Sequence, residues 1–435
     1  MNKGLLLIAA AMSALAVPAL AQTIAITGGT LAIGDGSEPV PNGTVVIANG
    51  KVVAAGANVA VPAGAKMIDA SGKWVTPGLV SGYSRVGLVE VPGVSETNDS
   101  SAQGIPFSAA IDVAPAINPL ANPVAISRTA GVTRAVVVPQ ASGGIFAGQG
   151  AVVDLGADMN PITRARAFQY VEMGEEGAKQ AGGSRPAAYL QFRMMLREAQ
   201  AYAKAPASYD GRSKDALLTR VDAEALVPVV NGVIPLLVHV ESARDILAVL
   251  ALKQEFPALR LILAGAAEGW MVASQIAAAK TPVIAGGLDD LPSAFEKLAA
   301  TQSNVGRMVK AGVSVSMGLM DRDEGLQLRL ATQQAGNMVA LNKIPGAAGL
   351  SWGQALRTIT SAPAEAMGLG DRIGSLQPGR AADVVLWDGD PLEMESAPVA
   401  VWIDGVEQPI DNRQTRLRDR YATPAEGALP KAYSW

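Results

Sequence analysis

The chain has 435 residues, a formal net charge of −4 and 49% hydrophobic residues, with one histidine and no cysteine. The mild acidity argues against binding to nucleic acid or to an anionic membrane surface. Because there are no cysteines, disulfides are excluded and the fold must be stabilised by burial of its core. The length predicts two or three domains.

Residues 1–21 have the features of a secretory signal peptide. Lys3 supplies a positive charge, residues 4–17 form an apolar run, and Ala19 and Ala21 give the small-x-small cleavage pattern. The apolar run is short for a membrane span, which disfavours the alternative of an uncleaved anchor. We therefore predict cleavage after Ala21 and an exported protein without a membrane anchor, periplasmic if the source is Gram-negative.

Short apolar segments separated by glycine turns dominate both ends of the chain. Strand candidates are residues 23–26, 44–47, 51–55, 383–387 and 399–403. Asn-Gly pairs at 42–43 and 49–50 and an Asp-Gly pair at 404–405 are typical of two-residue hairpin turns. The pattern predicts small antiparallel β structure at each end.

Strand-like and helical segments alternate between residues 76 and 365. The strand candidates are 135–138, 235–240, 260–264, 282–285 and 313–317, and the helical candidates are 187–203, 243–254, 270–279, 292–300 and 325–341. Alternation of this kind predicts a parallel sheet with right-handed crossovers, and the length suits a (β/α)₈ barrel. An open doubly wound sheet is the alternative. The glycines at 143–144 and 148–150 lack the P-loop lysine and are interpreted as a turn.

Two segments resemble the amidohydrolase superfamily. Residues 72–80, Gly-Lys-Trp-Val-Thr-Pro-Gly-Leu-Val, are similar to the start of its first barrel strand. Residues 371–392, which include Ile-Gly-Ser-Leu-Gln-Pro-Gly-Arg-Ala-Ala-Asp-Val-Val, are similar to the return from barrel to β-sandwich. Shorter segments at 118–119, 130–133, 148–153 and 181–185 are similar to an exported, imidazolonepropionase-like branch.

The resemblance implies an α/β fold with two parts. A (β/α)₈ TIM-like barrel would occupy residues 76–365. A small β-sandwich, the composite domain, would be formed by both chain ends, residues 22–75 and 366–435. The implied activity is hydrolysis of C–N bonds in non-peptide amides or cyclic amides.

Most places that hold metal ligands in the superfamily carry other residues here. A His-x-His pair is expected after the first barrel strand, where this chain has Tyr83 and Arg85. The strand-four ligand place is assigned to Tyr170, and the strand-six histidine is replaced by Gly265. Zinc-type sites normally gather several imidazoles, so the resemblance implies a degenerate metal site.

His239 matches the strand-five histidine and is the one expected ligand that remains. Met320 stands in place of the strand-eight aspartate, with Asp321 one residue later. A slip of one residue reverses the direction of a strand side chain, so Asp321 is not a free substitute. We expect no bound cofactor, with one zinc-like divalent metal on His239 as the alternative. The acids at 289–290 and 321–324 offer a further, oxygen-only option for Mg²⁺, Ca²⁺ or Mn²⁺, although such loop acids are more often helix caps.

Glu241 lies two residues after His239 and shares its face of the strand. The pair could orient the imidazole as a general base, or Glu241 could satisfy backbone N–H groups at a helix start. Arg85 needs a partner because an unpaired buried charge is costly. The candidates are Glu241, Glu268, Asp289 and a carboxylate ligand, and a salt bridge there would replace the charge of the lost metal.

Two functions stay open. The first is a pseudoenzyme that binds a small molecule in the barrel mouth, or that pairs with an active paralogue or with itself. The second is an active metal-poor or metal-free amidohydrolase that uses His239 with Glu241 or Asp321. Both predict a pocket at the carboxyl-terminal face of the barrel. Its predicted lining residues are Tyr83, Arg85, Tyr170, Gly265, Glu268 and Met320.

Overall fold

The computed structural model of the protein describes residues 23–209, 216–318 and 324–423. The predicted signal peptide, Met320 and Asp321 lie outside the described residues. None of the helices in these ranges combines the length and the apolar composition that a membrane crossing requires.

The described ranges contain sixteen strands and eleven α-helices. The strands are β1 (Ile24–Leu31), β2 (Val40–Ala48), β3 (Lys51–Gly56), β4 (Lys66–Asp69), β5 (Trp74–Pro77), β6 (Leu79–Ser84), β7 (Val132–Val137), β8 (Phe146–Asp154), β9 (Ile162–Glu172), β10 (Leu236–Val240), β11 (Leu261–Gly265), β12 (Val283–Ala285), β13 (Val315–Met317), β14 (Val384–Trp387), β15 (Pro398–Ile403) and β16 (Val406–Glu407). The helices are α1 (Asn122–Thr129), α2 (Gly174–Gln180), α3 (Arg185–Lys204), α4 (Arg220–Val230), α5 (Ala243–Glu255), α6 (Ala273–Ala278), α7 (Asn304–Lys310), α8 (Ala331–Ala340), α9 (Trp352–Thr358), α10 (Ser361–Ala366) and α11 (Arg413–Tyr421).

Both chain ends contribute to one sheet of eight strands. Its order is β16-β15-β14-β5-β1-β2-β3, with β4 also paired to β1. The turn between β2 and β3 has Asn49 and Gly50 at φ 51° and 73°, the left-handed geometry of a tight hairpin. β1 is parallel to β4 and β5, so the sheet is mixed and not purely antiparallel as predicted. A separate β-sandwich is not confirmed, because all eight strands belong to one hydrogen-bonded sheet.

The second sheet is a nearly closed barrel of eight strands, in the order β13-β12-β11-β10-β9-β8-β7-β6. Its two end strands approach each other, since a Cβ atom on Gly318 would lie 2.7 Å from the Cβ atom of Tyr83. Seven strands run in one direction, but β8 is antiparallel to both β7 and β9. This corrects the predicted (β/α)₈ repeat, because β7, β8 and β9 follow one another without helices between them.

Glycines explain why β8 was predicted as a turn. Gly148 has φ +121°, and a Cβ atom there would lie 2.6 Å from the carbonyl oxygen of Ile111. At Gly150 a Cβ atom would overlap the ring of Phe168. Residues 148–150 are therefore a strand in which neighbouring groups approach the backbone closely, a known use of glycine in sheets. The pair at 143–144 does lie in the loop before β8.

The barrel interior is filled by apolar side chains below the mouth. Strands β7, β9, β10, β11 and β12 contribute the buried residues Val136, Phe168, Leu237, Ile262 and Ile284 to one apolar cluster. A helix predicted over 292–300 is absent, apart from one 3₁₀ turn at Phe295–Lys297. The domain boundaries given above stay a prediction.

Candidate functional site

The carboxyl ends of β9 and β10 bring an imidazole between two carboxylates. Glu172 is the pairing partner of His239 in the parallel ladder of these strands. A short hydrogen bond joins His239 Nδ1 to Glu172 Oε1. On the other side of the ring, His239 Nε2 lies 3.1 Å from Glu241 Oε1. Both ring nitrogens are thus engaged, and the predicted pairing of His239 with Glu241 is present.

Two tyrosines extend this network across the barrel. Tyr170 lies two residues before Glu172 on the same face of β9, and its hydroxyl donates to Glu172 Oε2 at 3.0 Å. The hydroxyl oxygens of Tyr83 and Tyr170 are 3.4 Å apart, and both side chains are buried. Burial, the charge of Glu172 and the contact with Tyr83 raise the pKa of Tyr170 well above its usual value. Tyr170 therefore acts as a neutral hydrogen-bond donor.

Lys297 completes the network from the loop that follows β12. Its Nζ lies 3.0 Å from Glu241 Oε1 and 3.6 Å from Asp289 Oδ2. The second oxygen of Glu241 accepts the backbone N–H of Ala267 at 2.9 Å. With 2% of its side chain exposed, Glu241 is a buried carboxylate whose charge is met by three donors.

The electrostatics fix the protonation of the pair. Burial alone lowers the pKa of His239, but Glu172 and Glu241 outweigh burial and raise it well above its usual value. Burial raises the pKa of Glu241, but His239, Lys297 and the Ala267 N–H outweigh it and hold the pKa below its usual value. At neutral pH the pair is an imidazolium and a carboxylate. An imidazolium has no lone pair with which to accept a proton, so it cannot serve as a general base.

The donor set does not fit the metal site that the resemblance implied. Within the described ranges, no group of three or more His, Cys, Asp or Glu side chains could hold a metal ion. The carboxylate of Glu241 is not available to a metal, because the ammonium of Lys297 and the imidazolium of His239 both bind it. A divalent cation would have to displace both positive groups or bind against their electrostatic repulsion.

At Gly265, the space that the expected strand-six histidine would need is filled by the side chain of Glu241. The residue has φ +88°, and a Cβ atom there would lie 2.6 Å from Glu241 Cδ and 2.7 Å from both carboxylate oxygens. A histidine could not project from this position without moving Glu241. The carboxylate therefore occupies the place of the strand-six imidazole.

Two of the loop acids predicted as alternative ligands, Asp289 and Asp290, have other partners, whereas residues 321–323 lie outside the described residues. Asp289 binds Lys297, and Asp290 Oδ1 accepts the N–H of Gln302 at 3.4 Å. Glu268, which was predicted as a pocket residue and a candidate partner of Arg85, accepts the N–H groups of Ala243 at 3.0 Å and Ala299 at 3.1 Å. Glu268 therefore anchors two backbone segments near the mouth.

Arg85 does not make the ion pair that we expected. Its backbone N–H donates to Gly325 O at 3.0 Å, but its guanidinium pairs with no residue that the structure describes. Lys297, instead, binds Glu241 and Asp289. The reason is position, because Arg85 lies beyond the end of β6 and lines a cavity beside the mouth.

Glu172 and Lys297 are the site residues that the sequence analysis missed. Glu172 had a detectable signal, since it lies two residues after Tyr170 and so shares its face on a strand. Lys297 had none, because it comes from a loop segment that was predicted as a helix.

The nearly closed barrel of eight strands is an amidohydrolase-type fold, and the comparisons with known proteins place the chain in the amidohydrolase superfamily. The sequence pattern of the amidohydrolase family matches residues 239–410. An amidohydrolase from Thermotoga maritima MSB8 is similar in structure, with 27% identity, a TM-score of 0.77, and coverage of 90% of this chain and 100% of that one.

Two further proteins are similar over most of this chain. Amidohydrolase tasK of Hapsidospora irregularis is 26% identical over 385 residues, which is 80% of this chain and 38% of that protein. The chain thus spans well under half the length of that relative. Molinate hydrolase has the same fold, with a TM-score of 0.54 at 19% identity, covering 96% of this chain and 99% of that one.

Proposed function

We propose that this protein is a pseudoenzyme of the amidohydrolase superfamily that binds a small molecule at the carboxyl-terminal face of its barrel. The superfamily membership and similarity to proteins named amidohydrolase and molinate hydrolase support an ancestry in C–N bond hydrolysis. Function depends on the site and not on the fold, so the mouth residues decide between binding and catalysis.

One observation carries the proposal: the Lys297 ammonium and the His239 imidazolium both bind the buried carboxylate of Glu241. The positive charge that a hydrolytic metal would supply is thereby replaced by two side chains. Each carboxylate of the network contacts a positive side chain, since Glu172 and Glu241 contact His239 and Asp289 contacts Lys297. Tyr83 and Tyr170 fill the adjacent volume.

The alternative is an active metal-free hydrolase that uses His239 with Glu241 or Asp321. Protonation of His239 counts against its use as a general base. Glu241 is a poor base as well, because three donors stabilise its ionised form. Asp321 lies outside the described residues.

Metal content and turnover test the proposal together. Protein purified without chelator is analysed for metals and incubated with a panel of N-acyl amino acids, anilides and cyclic amides. We expect neither a stoichiometric metal nor turnover above that of the His239→Gln variant. A stoichiometric divalent metal that is lost in His239→Gln would overturn the proposal, as would turnover abolished by Glu241→Gln but kept in Glu365→Gln.

Export and assembly are part of the same proposal. We propose that residues 1–21 direct export with cleavage after Ala21, to the periplasm in a Gram-negative source. We propose that the mature protein assembles with itself or with an active paralogue. N-terminal sequencing of the exported protein and native mass measurement test these two points.

A further inference from the structure

A cavity beside the barrel mouth is lined by Arg85, whose side chain has no hydrogen-bond or ion-pair partner in the described part of the chain. Arg85 follows β6, Gln140 follows β7 and Leu326 follows β13, so the cavity lies at the carboxyl-terminal face of the barrel. The loop at residues 89–103 lines its remaining side. Its volume is about 370 Å³, which is in the range of small-molecule sites.

Arg85 is the charged residue among the described residues that line this cavity. Its Nε atom is buried and has no hydrogen-bond acceptor among them. Arg85 as a whole is partly exposed, but a buried N–H without an acceptor, such as its Nε–H, costs free energy because the hydration of that donor is lost and nothing replaces it. An anionic group from outside the chain would satisfy this donor.

The remaining lining is part polar and part apolar. Ser101 and Gln103 offer hydroxyl and amide groups, whereas Val89 and Leu326 supply apolar walls. One guanidinium fork matches one carboxylate, which it can bind through two parallel hydrogen bonds. A phosphate, with close to two negative charges, would be only partly compensated by Arg85 alone.

We propose that this cavity binds a small monocarboxylate with a short apolar body through Arg85. The inference rests on the proposed binding role of the barrel mouth and names the class of ligand. The carboxylate pairs with the guanidinium, and the apolar body lies against Val89 and Leu326.

Calorimetric titration of the full mature protein tests the inference. The probes are isovalerate, 3-phenylpropionate and N-acetyl-leucine, each compared with its primary amide, and inorganic phosphate. We expect at least one carboxylate to bind about tenfold or more tightly than its amide, as a charge-assisted hydrogen bond predicts. Arg85→Gln should lose the same factor, and Arg85→Lys should keep part of it. Arg413→Gln, which removes an exposed arginine outside the cavity, should bind like wild type.

Melting temperatures first establish that each variant is folded. Equal affinity for acid and amide, full affinity in Arg85→Gln, or binding of phosphate but of none of the carboxylates would overturn the inference. NMR of the recovered N-acetyl-leucine separates this result from the proposed function. Intact ligand with Arg85-dependent binding agrees with both proposals, whereas Arg85-dependent binding followed by cleavage keeps the carboxylate site and overturns the pseudoenzyme.

Discussion

The ammonium of Lys297 lies 3.0 Å from Glu241 Oε1, on a carboxylate that also accepts from His239 at 3.1 Å. This contact joins a loop that follows β12 to the residue just beyond β10. It supplies positive charge at the place where the superfamily resemblance implies a metal.

Lys297→Met should destabilise the protein, although the methionine side chain has a volume similar to that of lysine. Removal of one partner from a buried ion pair typically costs about 3 to 5 kcal/mol, and partial exposure of Lys297 reduces this to about 2 to 4 kcal/mol. Urea denaturation measures the loss. Lys343→Met, at an exposed position, is the matched control and should change the free energy of unfolding little. Equal stability of the two variants would show that the Lys297 contact contributes nothing.

The contribution of His239 to stability should decrease at alkaline pH. Its folded-state pKa is raised well above the ordinary value, so the folded protein holds the proton more tightly than the unfolded chain. The resulting stability is fully present below the unfolded pKa of about 6.5 and is lost as pH rises through the folded pKa. The difference in unfolding free energy between wild type and His239→Gln should therefore shrink from neutral to alkaline pH. A difference that grows over that range would contradict the assigned imidazolium.

Gly265→Ala should cost more stability than Gly312→Ala. Both glycines have φ +88°, so the backbone strain of the two substitutions is matched. At Gly312 nothing lies within 4 Å of the added Cβ, whereas at Gly265 it meets the Glu241 carboxylate at 2.6–2.7 Å. We expect an excess of about 1 to 3 kcal/mol from overpacking at Gly265. Thermal unfolding of the two variants gives the comparison, and equal costs would mean that Glu241 moves freely.

Arg85→Met should leave the ligand-free protein as stable as wild type or slightly more stable. The guanidinium has no acceptor among the described residues, so its loss removes an unsatisfied donor. Arg134→Met is the contrast, because Arg134 is buried and bonded to Asp383 at 2.7 Å and Asp404 at 2.7 Å. That variant should lose about 3 to 5 kcal/mol. A similar large loss in Arg85→Met would mean that Arg85 has a structural partner.

Local sequence signals were sufficient for part of the framework around the site. The apolar segments at 235–240 and 260–264 predicted β10 and β11, which position His239 and Gly265, and the Asn-Gly pair at 49–50 predicted its hairpin. β8 was missed because its glycines accommodate Ile111 and Phe168, which are distant in sequence. Such close approaches leave no periodic pattern in the segment itself.

The His239–Glu241 pair could be predicted from the sequence, whereas the contact of Lys297 with Glu241 could not. Glu241 lies two residues after His239, just beyond the end of β10, so their proximity follows from the extended backbone at the strand end. Lys297 reaches Glu241 from a loop in which side chains satisfy the backbone, as Glu268 does at Ala299. That arrangement depends on tertiary contacts, and no local pattern encodes it.

The protonation state of His239 tests the central claim most directly. Because the chain has a single histidine, its imidazole nitrogens can be assigned in a ¹⁵N-detected spectrum without mutants. We predict two protonated ring nitrogens at pH 7.5, with a spectrum that does not change when stoichiometric Zn²⁺ is added. A neutral imidazole at pH 7.5, or loss of a ring proton on addition of Zn²⁺, would contradict the ion-pair account and favour a metal-binding site.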